Sequence, residues 1–221
     1  MKRVYFLGDS TCADKKKEAR PETGWGEEFY HYLAPGWVSV NCAVNGYSTK
    51  SCLSTGAFGS VLLSAREGDY VLIQFGHNDE HIGEEKSTKA FVDYSANLKY
   101  MAERLLKKGV KVCFITPVPR RVFENYRPKD THGDYVAAMK AVAYQVGVPC
   151  VDITIPAMLD LALMGDLESR NYYMELKPGV YTNYPEGKED HTHLRPEGAK
   201  WVAELIYTAF SNLSERPEFI K

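Results

Sequence analysis

The chain has 221 residues, 44% hydrophobic and 25% charged, the balance of a globular protein that buries a sizeable core without staples. The 27 Lys and Arg against 29 Asp and Glu leave a net charge of −2, which excludes a chain-wide electrostatic footprint for nucleic acid. No apolar run approaches the roughly 18 residues that a membrane helix needs, so neither nucleic acid nor membrane is an expected partner.

In chain order, residues 4–7 form a short apolar run stopped by Gly8, the first predicted strand. Residues 24–33 carry a helical pattern, and residues 37–44 read as a second strand. Residues 69–75 are the third strand, ended by Gly76-His77-Asn78-Asp79. Residues 88–108 predict a long amphipathic helix with Phe91, Tyr94, Leu98, Met101 and Leu105 on its apolar face, stopped by Gly109. A fourth strand at 110–115 ends in Thr116-Pro117, residues 134–146 are helical, and 149–153 make a fifth strand. Leu194-Arg195-Pro196-Glu197 opens a last helix through residue 213, with Pro196 in its first turn.

Strands alternating with helices imply parallel βαβ units and a sheet covered on both faces. The expectation is an α/β fold over residues 1–221 as a single domain. It is a three-layer α/β/α sandwich of flavodoxin-like type, with a five-stranded parallel sheet in the order 2-1-3-4-5. The five cysteines (Cys12, Cys42, Cys52, Cys113, Cys150) cannot all pair, and none form a CxxC motif. Reduced thiols, and an apolar run after Met1-Lys2-Arg3 too short for a signal segment, point to a cytoplasmic location.

Open α/β sheets bind ligands beyond the carboxyl ends of their strands. Polar residues bunch there: Gly8-Asp9-Ser10-Thr11 after strand one, Asn45-Gly46-Tyr47-Ser48 after strand two, Gly76-His77-Asn78-Asp79 after strand three. Asp190-His191-Thr192-His193 precedes the last helix. Ser10 can act as a nucleophile if a base takes its proton, and His193 is suited to that task. Asp190, three residues earlier, can reach back to fix the imidazole. The Ser10 and Gly46 amides and the Asn78 side chain can supply an oxyanion hole, Gly46 because its missing side chain allows close approach.

Each fragment alone reads as a turn or a loop. The last also reads as a metal cluster with His191 and His193 as ligands, but no further residues with clear metal spacing accompany it. The conjunction, in the order Ser, Gly, Asn, Asp-x-x-His, carries the serine-hydrolase reading.

These four blocks resemble the SGNH (GDSL) hydrolase superfamily. The resemblance implies a flavodoxin-like sandwich and serine ester hydrolysis, with Ser10 as nucleophile, His193 as base and Asp190 as its orienting acid. It implies no metal or organic cofactor. A finer similarity is to rhamnogalacturonan acetylesterases. It rests on Phe6-Leu7-Gly8-Asp9-Ser10-Thr11, Gly24-Trp25-Gly26, Gln74-Phe75-Gly76-His77-Asn78-Asp79, Thr116-Pro117-Val118-Pro119-Arg120-Arg121 and Asp190-His191-Thr192-His193-Leu194 followed by Gly198-Ala199. The implied substrate is a small acetylated oligosaccharide; with no leader in the chain as given, an imported one.

Two loops bear on that substrate. Arg120, Arg121, Arg127 and Lys129 follow strand four, and Arg121 and Arg127 are expected to pair with a galacturonate carboxylate. Residues 171–185 hold four tyrosines, of which Tyr181 and Tyr184 are expected to offer sugar platforms. Asp9 and His77 are expected to line the pocket, Asp9 also bracing the loop. The competing readings are a thioesterase or lysophospholipase, which needs an apolar groove, and a catalytically idle carbohydrate-binding module. A nucleotide-binding protein lacks support, since neither GxGxxG nor GxxxxGK[ST] follows the first strand.

Overall fold

The computed structural model describes residues 1–221. Its central sheet is built from β1 (Lys2–Gly8), β2 (Trp37–Asn41), β3 (Tyr70–Gln74), β4 (Lys111–Ile115) and β7 (Cys150–Val151), all parallel, in the order β2-β1-β3-β4-β7. This is the predicted order 2-1-3-4-5. A small antiparallel pair, β5 (Phe123–Glu124) and β6 (Arg127–Pro128), stands apart from it.

The helices are α1 (Trp25–Glu28), α2 (Thr49–Ser54), α3 (Ala57–Ser64), α4 (Ser95–Leu106), α5 (Asp134–Val146), α6 (Thr154–Ser169) and α7 (Pro196–Ser211). Alternation along the strands sorts them into two layers. Val4 and Phe6 of β1 and Tyr70 and Leu72 of β3 face one core, with Trp25 of α1, Leu161 of α6 and Val202, Ile206 and Phe210 of α7. Tyr5, Leu7, Val71 and Ile73 face the other, with Phe58 and Val61 of α3, Leu98, Met101 and Leu105 of α4, and Met139 and Val142 of α5. Both faces of β1 and β3 are thus sealed, which is why these strands read as continuous apolar runs. No helix is long and apolar enough to cross a membrane.

Three expectations need correction. The helix expected over 88–108 enters through a single π turn at Ala90–Tyr94, and Phe91 is 59% exposed while Tyr94, Leu98, Met101 and Leu105 are buried. The wider turn inserts a residue and turns Ala90 inward in place of Phe91. Residues 24–33 are only a single turn, α1, followed by a 3-10 turn at Phe29–Tyr32, and the strand expected over 37–44 stops at Asn41. The reading also assigned no helix at α2, α3 or α6. In α6, Ala157 and Leu161 are buried while Ile155, Leu159, Leu163 and Leu167 lie exposed on another face, so its apolar residues surround the axis and show no amphipathic period.

Candidate active site

Ser10 follows β1 by two residues, on a tight turn in which the Cys12 and Ala13 amides donate to the Asp9 carbonyl. The Asp9 side chain holds that turn from within, accepting from the Thr11 amide at 2.9 Å and the Thr11 hydroxyl at 2.8 Å. The chain then crosses the molecule, and the segment before α7 brings His193 back. Its Nε2 lies 3.0 Å from the Ser10 Oγ, and its Nδ1 lies 2.7 Å from Asp190 Oδ2. An Nδ1 facing a carboxylate carries the proton, which leaves the Nε2 lone pair for the serine hydroxyl.

The three-residue spacing of Asp190 and His193 has a local cause. Asp190 Oδ1 accepts from the Thr192 and His193 amides, each at 2.9 Å, and this turn aims Oδ2 at the imidazole. Burial pushes the Asp190 carboxyl up, but the His193 hydrogen bond and charge, the His193 amide and Lys188 outweigh it and hold the carboxyl well below its ordinary range.

The expected oxyanion donors lie on the neighbouring strand ends. The amides of Ser10 and Gly46 donate to no acceptor in the protein. Asn78 Nδ2 spends one hydrogen on the Tyr47 carbonyl at 2.9 Å, and Lys86 Nζ on Asn78 Oδ1 at 3.1 Å sets the amide's orientation. Gly46 has φ +78, and a Cβ there would meet nothing within 4 Å. The left-handed backbone, rather than a close neighbour within the protein, calls for glycine.

Two lysines that sequence reasoning missed, Lys15 buried and Lys188 half-buried, tie this machinery together. Lys15 Nζ donates to the Ser10 carbonyl at 2.5 Å and to Asn45 Oδ1 at 2.8 Å, so one ammonium fastens the serine turn to the loop that carries Gly46. It pairs with Glu22 at 2.9 Å. The other Glu22 oxygen lies 3.7 Å from Lys188 Nζ, which donates to Asp190 Oδ2 at 2.9 Å. A ring of alternating charge thus runs from the Ser10 carbonyl through Lys15, Glu22, Lys188, Asp190 and His193 back to the Ser10 hydroxyl. Nothing periodic marks Lys15 in the sequence; Lys188 shows only as a cation two residues before Asp190.

The expected substrate residues are placed differently. Asp9 and His77 are buried and face each other at 3.0 Å, with His77 also edge-on to His132 at 4.4 Å. Burial pushes the Asp9 carboxyl up, but His77 and Thr11 bring it below its ordinary value. The pair braces the turn from beneath and does not line a surface. Arg121 is also buried. Its guanidinium donates to Asp166 at 2.5 Å and Glu175 at 2.7 Å, and its amide donates to the His191 carbonyl, anchoring the segment that bears His193. Those bonds engage both terminal nitrogens and the Nε is buried, so the fork expected to read a sugar carboxylate is taken within the protein. Arg127 is exposed on the separate β5–β6 pair and lines no part of the cleft described below.

The 171–185 segment is not structureless. A 3-10 turn at Arg170–Tyr172 and backbone bridges of Tyr173 to Leu194 and Leu176 to Lys188 pin it against the His193 segment. The Tyr184 hydroxyl donates to the Ala19 carbonyl at 3.1 Å and its ring lies 5.3 Å from Lys188 Nζ. The Tyr181 ring lies 5.9 Å from the guanidinium carbon of Arg195. Beside this segment opens a cleft of about 1070 Å³, whose wall includes Arg121, Arg170, Tyr181, Lys188, His191 and Arg195. Lys188 joins that wall to Asp190.

The metal reading of His191 and His193 fails on orientation. His193 faces Ser10 and Asp190, whereas His191 faces Glu175 at 2.8 Å and Glu189 at 3.4 Å. Glu175, Glu189 and His191 do place ligand-type atoms within 4.8 Å of one another. The Arg121 guanidinium already lies 2.8 Å from His191 Nδ1 and 2.7 Å from Glu175.

The chain is similar to known proteins. Residues 6–201 match the model of the GDSL-like lipase/acylhydrolase family. Rhamnogalacturonan acetylesterase RhgT of Bacillus subtilis is 35% identical over 96% of this chain and 90% of its own length. A rhamnogalacturonan acetylesterase of Emericella nidulans is 28% identical over 93% of this chain and 83% of its own. Among solved structures, Axe2, an acetylxylan esterase from Geobacillus stearothermophilus, superposes with a TM-score of 0.68 at 18% identity, covering 94% of this chain and 93% of its own. The YxiM protein of Bacillus subtilis gives a TM-score of 0.81 at 21% identity, covering 95% of this chain and 56% of its own.

Proposed function

The chain belongs to the GDSL-like lipase/acylhydrolase family and is a carboxylic ester hydrolase, and on that premise we propose that it removes O-acetyl groups from carbohydrate, with acetylated rhamnogalacturonan oligosaccharides as substrates. The observation that carries the reading is the unbroken chain Ser10–His193–Asp190, at 3.0 and 2.7 Å, beside two amides with no acceptor of their own. The relatives named above supply the substrate class. We read residues 1–221 as one catalytic unit, because both cores share a single sheet.

The geometry supports the following steps. Ser10 Oγ attacks the acetyl carbonyl carbon as His193 Nε2 takes the hydroxyl proton, and Asp190 stabilises the imidazolium. The carbonyl oxygen gains the negative charge, which the Ser10 and Gly46 amides and the remaining Asn78 hydrogen receive. Collapse breaks the bond to the sugar oxygen, and His193 returns the proton to that oxygen. An acetyl-Ser10 ester remains. Water attacks it, giving a proton to His193; collapse breaks the bond from the acetyl carbon to Ser10 Oγ, His193 returns the proton to that oxygen, and acetic acid leaves and ionises to acetate. The cleft beside this centre is walled mainly by charged and polar side chains, which suits a sugar chain better than a long acyl chain.

The test compares p-nitrophenyl acetate with p-nitrophenyl octanoate, then acetylated rhamnogalacturonan oligosaccharides, beside Ser10→Ala. Acetate turnover that vanishes in the variant and falls steeply with chain length supports the reading. Preference for octanoate moves it to a thioesterase or lysophospholipase. Equal rates for wild type and Ser10→Ala remove the assigned site.

A further inference from the structure

Arg195 occupies a place that suits arginine poorly. It is the N-cap of α7, with extended backbone, and its side chain makes no capping bond. A Ser, Thr, Asn or Asp there would accept from a first-turn amide, a bond that Arg195 forgoes. A cation also stands on the unfavourable side of the dipole of this 16-residue helix. Glu197 offsets this in part, its carboxylate 3.6 Å from Arg195 Nε, beyond hydrogen-bond reach.

The guanidinium does nothing else within the protein. Its Nε is buried without a partner, and no other nitrogen of it donates to a protein acceptor. Among the other cations of the cleft wall, Arg121 pairs with Asp166 and Glu175, Arg170 with Asp166, and Lys188 with Asp190 and Glu22, while Lys177 is exposed, pairs with no carboxylate and has no aromatic ring to fix it. Arg195 is instead held over the Tyr181 ring, 19% exposed, in the wall of the cleft. Tyr181 orients the plane of the fork at little entropic cost.

We propose that Arg195, seated on Tyr181, receives the carboxylate of a uronic acid residue of the substrate. This rests on the carbohydrate reading above and assigns the acid-recognising subsite to the cleft. A guanidinium with open donors on a planar platform matches a carboxylate in two parallel hydrogen bonds, and partial burial strengthens each. The subsite adjoins the reaction centre through its own backbone: Arg195 follows His193 by two residues, and Lys188 links the same wall to Asp190. Ser10 and His193 do not line the cleft themselves, so a sugar chain with its acetyl group at Ser10 would extend past His193 to reach this wall.

The experiment compares kcat/KM for an acetylated galacturonate-containing oligosaccharide with that for its carboxyl-reduced counterpart, in wild type, Arg195→Gln and Arg195→Lys. The ratio on one enzyme preparation cancels any partial loss of folded protein. Wild type is expected to favour the acidic substrate by about tenfold or more, mainly through KM, the size of one charge-assisted hydrogen bond. Arg195→Gln brings the ratio near one, and Arg195→Lys, a point charge without the fork, restores part of it. A wild-type ratio near one, or an undiminished ratio in Arg195→Gln, overturns the subsite. Wild type that turns over p-nitrophenyl acetate but neither oligosaccharide overturns the carbohydrate reading beneath it.

Discussion

Lys188 and His193 share one oxygen of Asp190: the imidazole Nδ1 lies 2.7 Å from Oδ2 and the ammonium 2.9 Å from the same atom. Burial pulls the Lys188 ammonium down, but Asp190 and Glu22 more than restore it, so its value is raised. The groups facing this oxygen and its partners are Glu22 at 3.7 Å from Lys188, Lys15 behind Glu22, and the Tyr184 ring. Lys188 draws on the charge that Asp190 offers to an imidazolium. Lys188→Met leaves Asp190 without its cation and is therefore expected to lower kcat/KM by about tenfold, the size of one charge-assisted hydrogen bond. Lys188→Arg should keep most of the wild-type rate. A fall in activity fully matched by a fall in folded protein leaves Lys188 a purely structural role.

Ser10→Ala should lower kcat by on the order of 10³-fold or more. Asn78→Ala should lower it by about 10²–10³-fold with a small effect on KM, because the oxyanion exists only after attack. Steady-state kinetics with p-nitrophenyl acetate separate the two parameters. A change confined to KM in Asn78→Ala would make Asn78 a ground-state contact.

Lys15 is buried with Glu22, and removing one partner of such a pair leaves an uncompensated charge. Lys15→Met should destabilise the protein by about 3–5 kcal/mol in urea unfolding, and Lys15→Met with Glu22→Gln should recover part of that. The Ser10 carbonyl and Asn45 still lose their common donor in the double variant, so kcat should stay depressed while stability returns. Parallel recovery of both would mean that Lys15 matters to folding alone.

Asp79 concerns stability rather than rate. Burial raises its carboxyl to about 7, against the hydrogen bonds of Thr49 and Thr88. A folded value above the unfolded one means that, between about pH 4 and 7, the native protein holds a proton the unfolded chain has lost. Stability from this group is present at low pH and declines as pH rises through that window, by on the order of a few kcal/mol. Asp9 and Asp190, both held low, have their full contribution above pH 5 and add no slope there. Urea melts at pH 5 and pH 8 should show wild type losing more stability than Asp79→Asn over that interval. Identical slopes would remove the assignment.

Much of this protein was legible in its sequence because the relevant signals are local. Buried strands read as short apolar runs, as in residues 4–7 and 69–75, and glycines stop the runs where the chain leaves the sheet. Strand ends gather polar residues, so Ser10, Gly46 and Asn78 stood out by position. The Asp190–His193 pair is itself local, since one aspartate turn sets both the spacing and the aim. Helices failed where the local signal is ambiguous: α6 is apolar around its axis, and one π turn rotated Phe91 out of the predicted face.

Only the tertiary structure decided which charges meet. Ser10 and His193 are 183 residues apart, and the sheet order closes that distance to 3.0 Å. Arg121 looked free to read a carboxylate, yet Asp166 and Glu175, 45 and 54 residues on, take its donors. Lys15 carries no mark of its position until Glu22, Asn45 and the Ser10 carbonyl enclose it. Hydrophobic periodicity reports how each segment faces the core, because burial is a property of one element at a time. A charge finds its partner across elements, so its role is written in distances that exist only once the sheet has assembled.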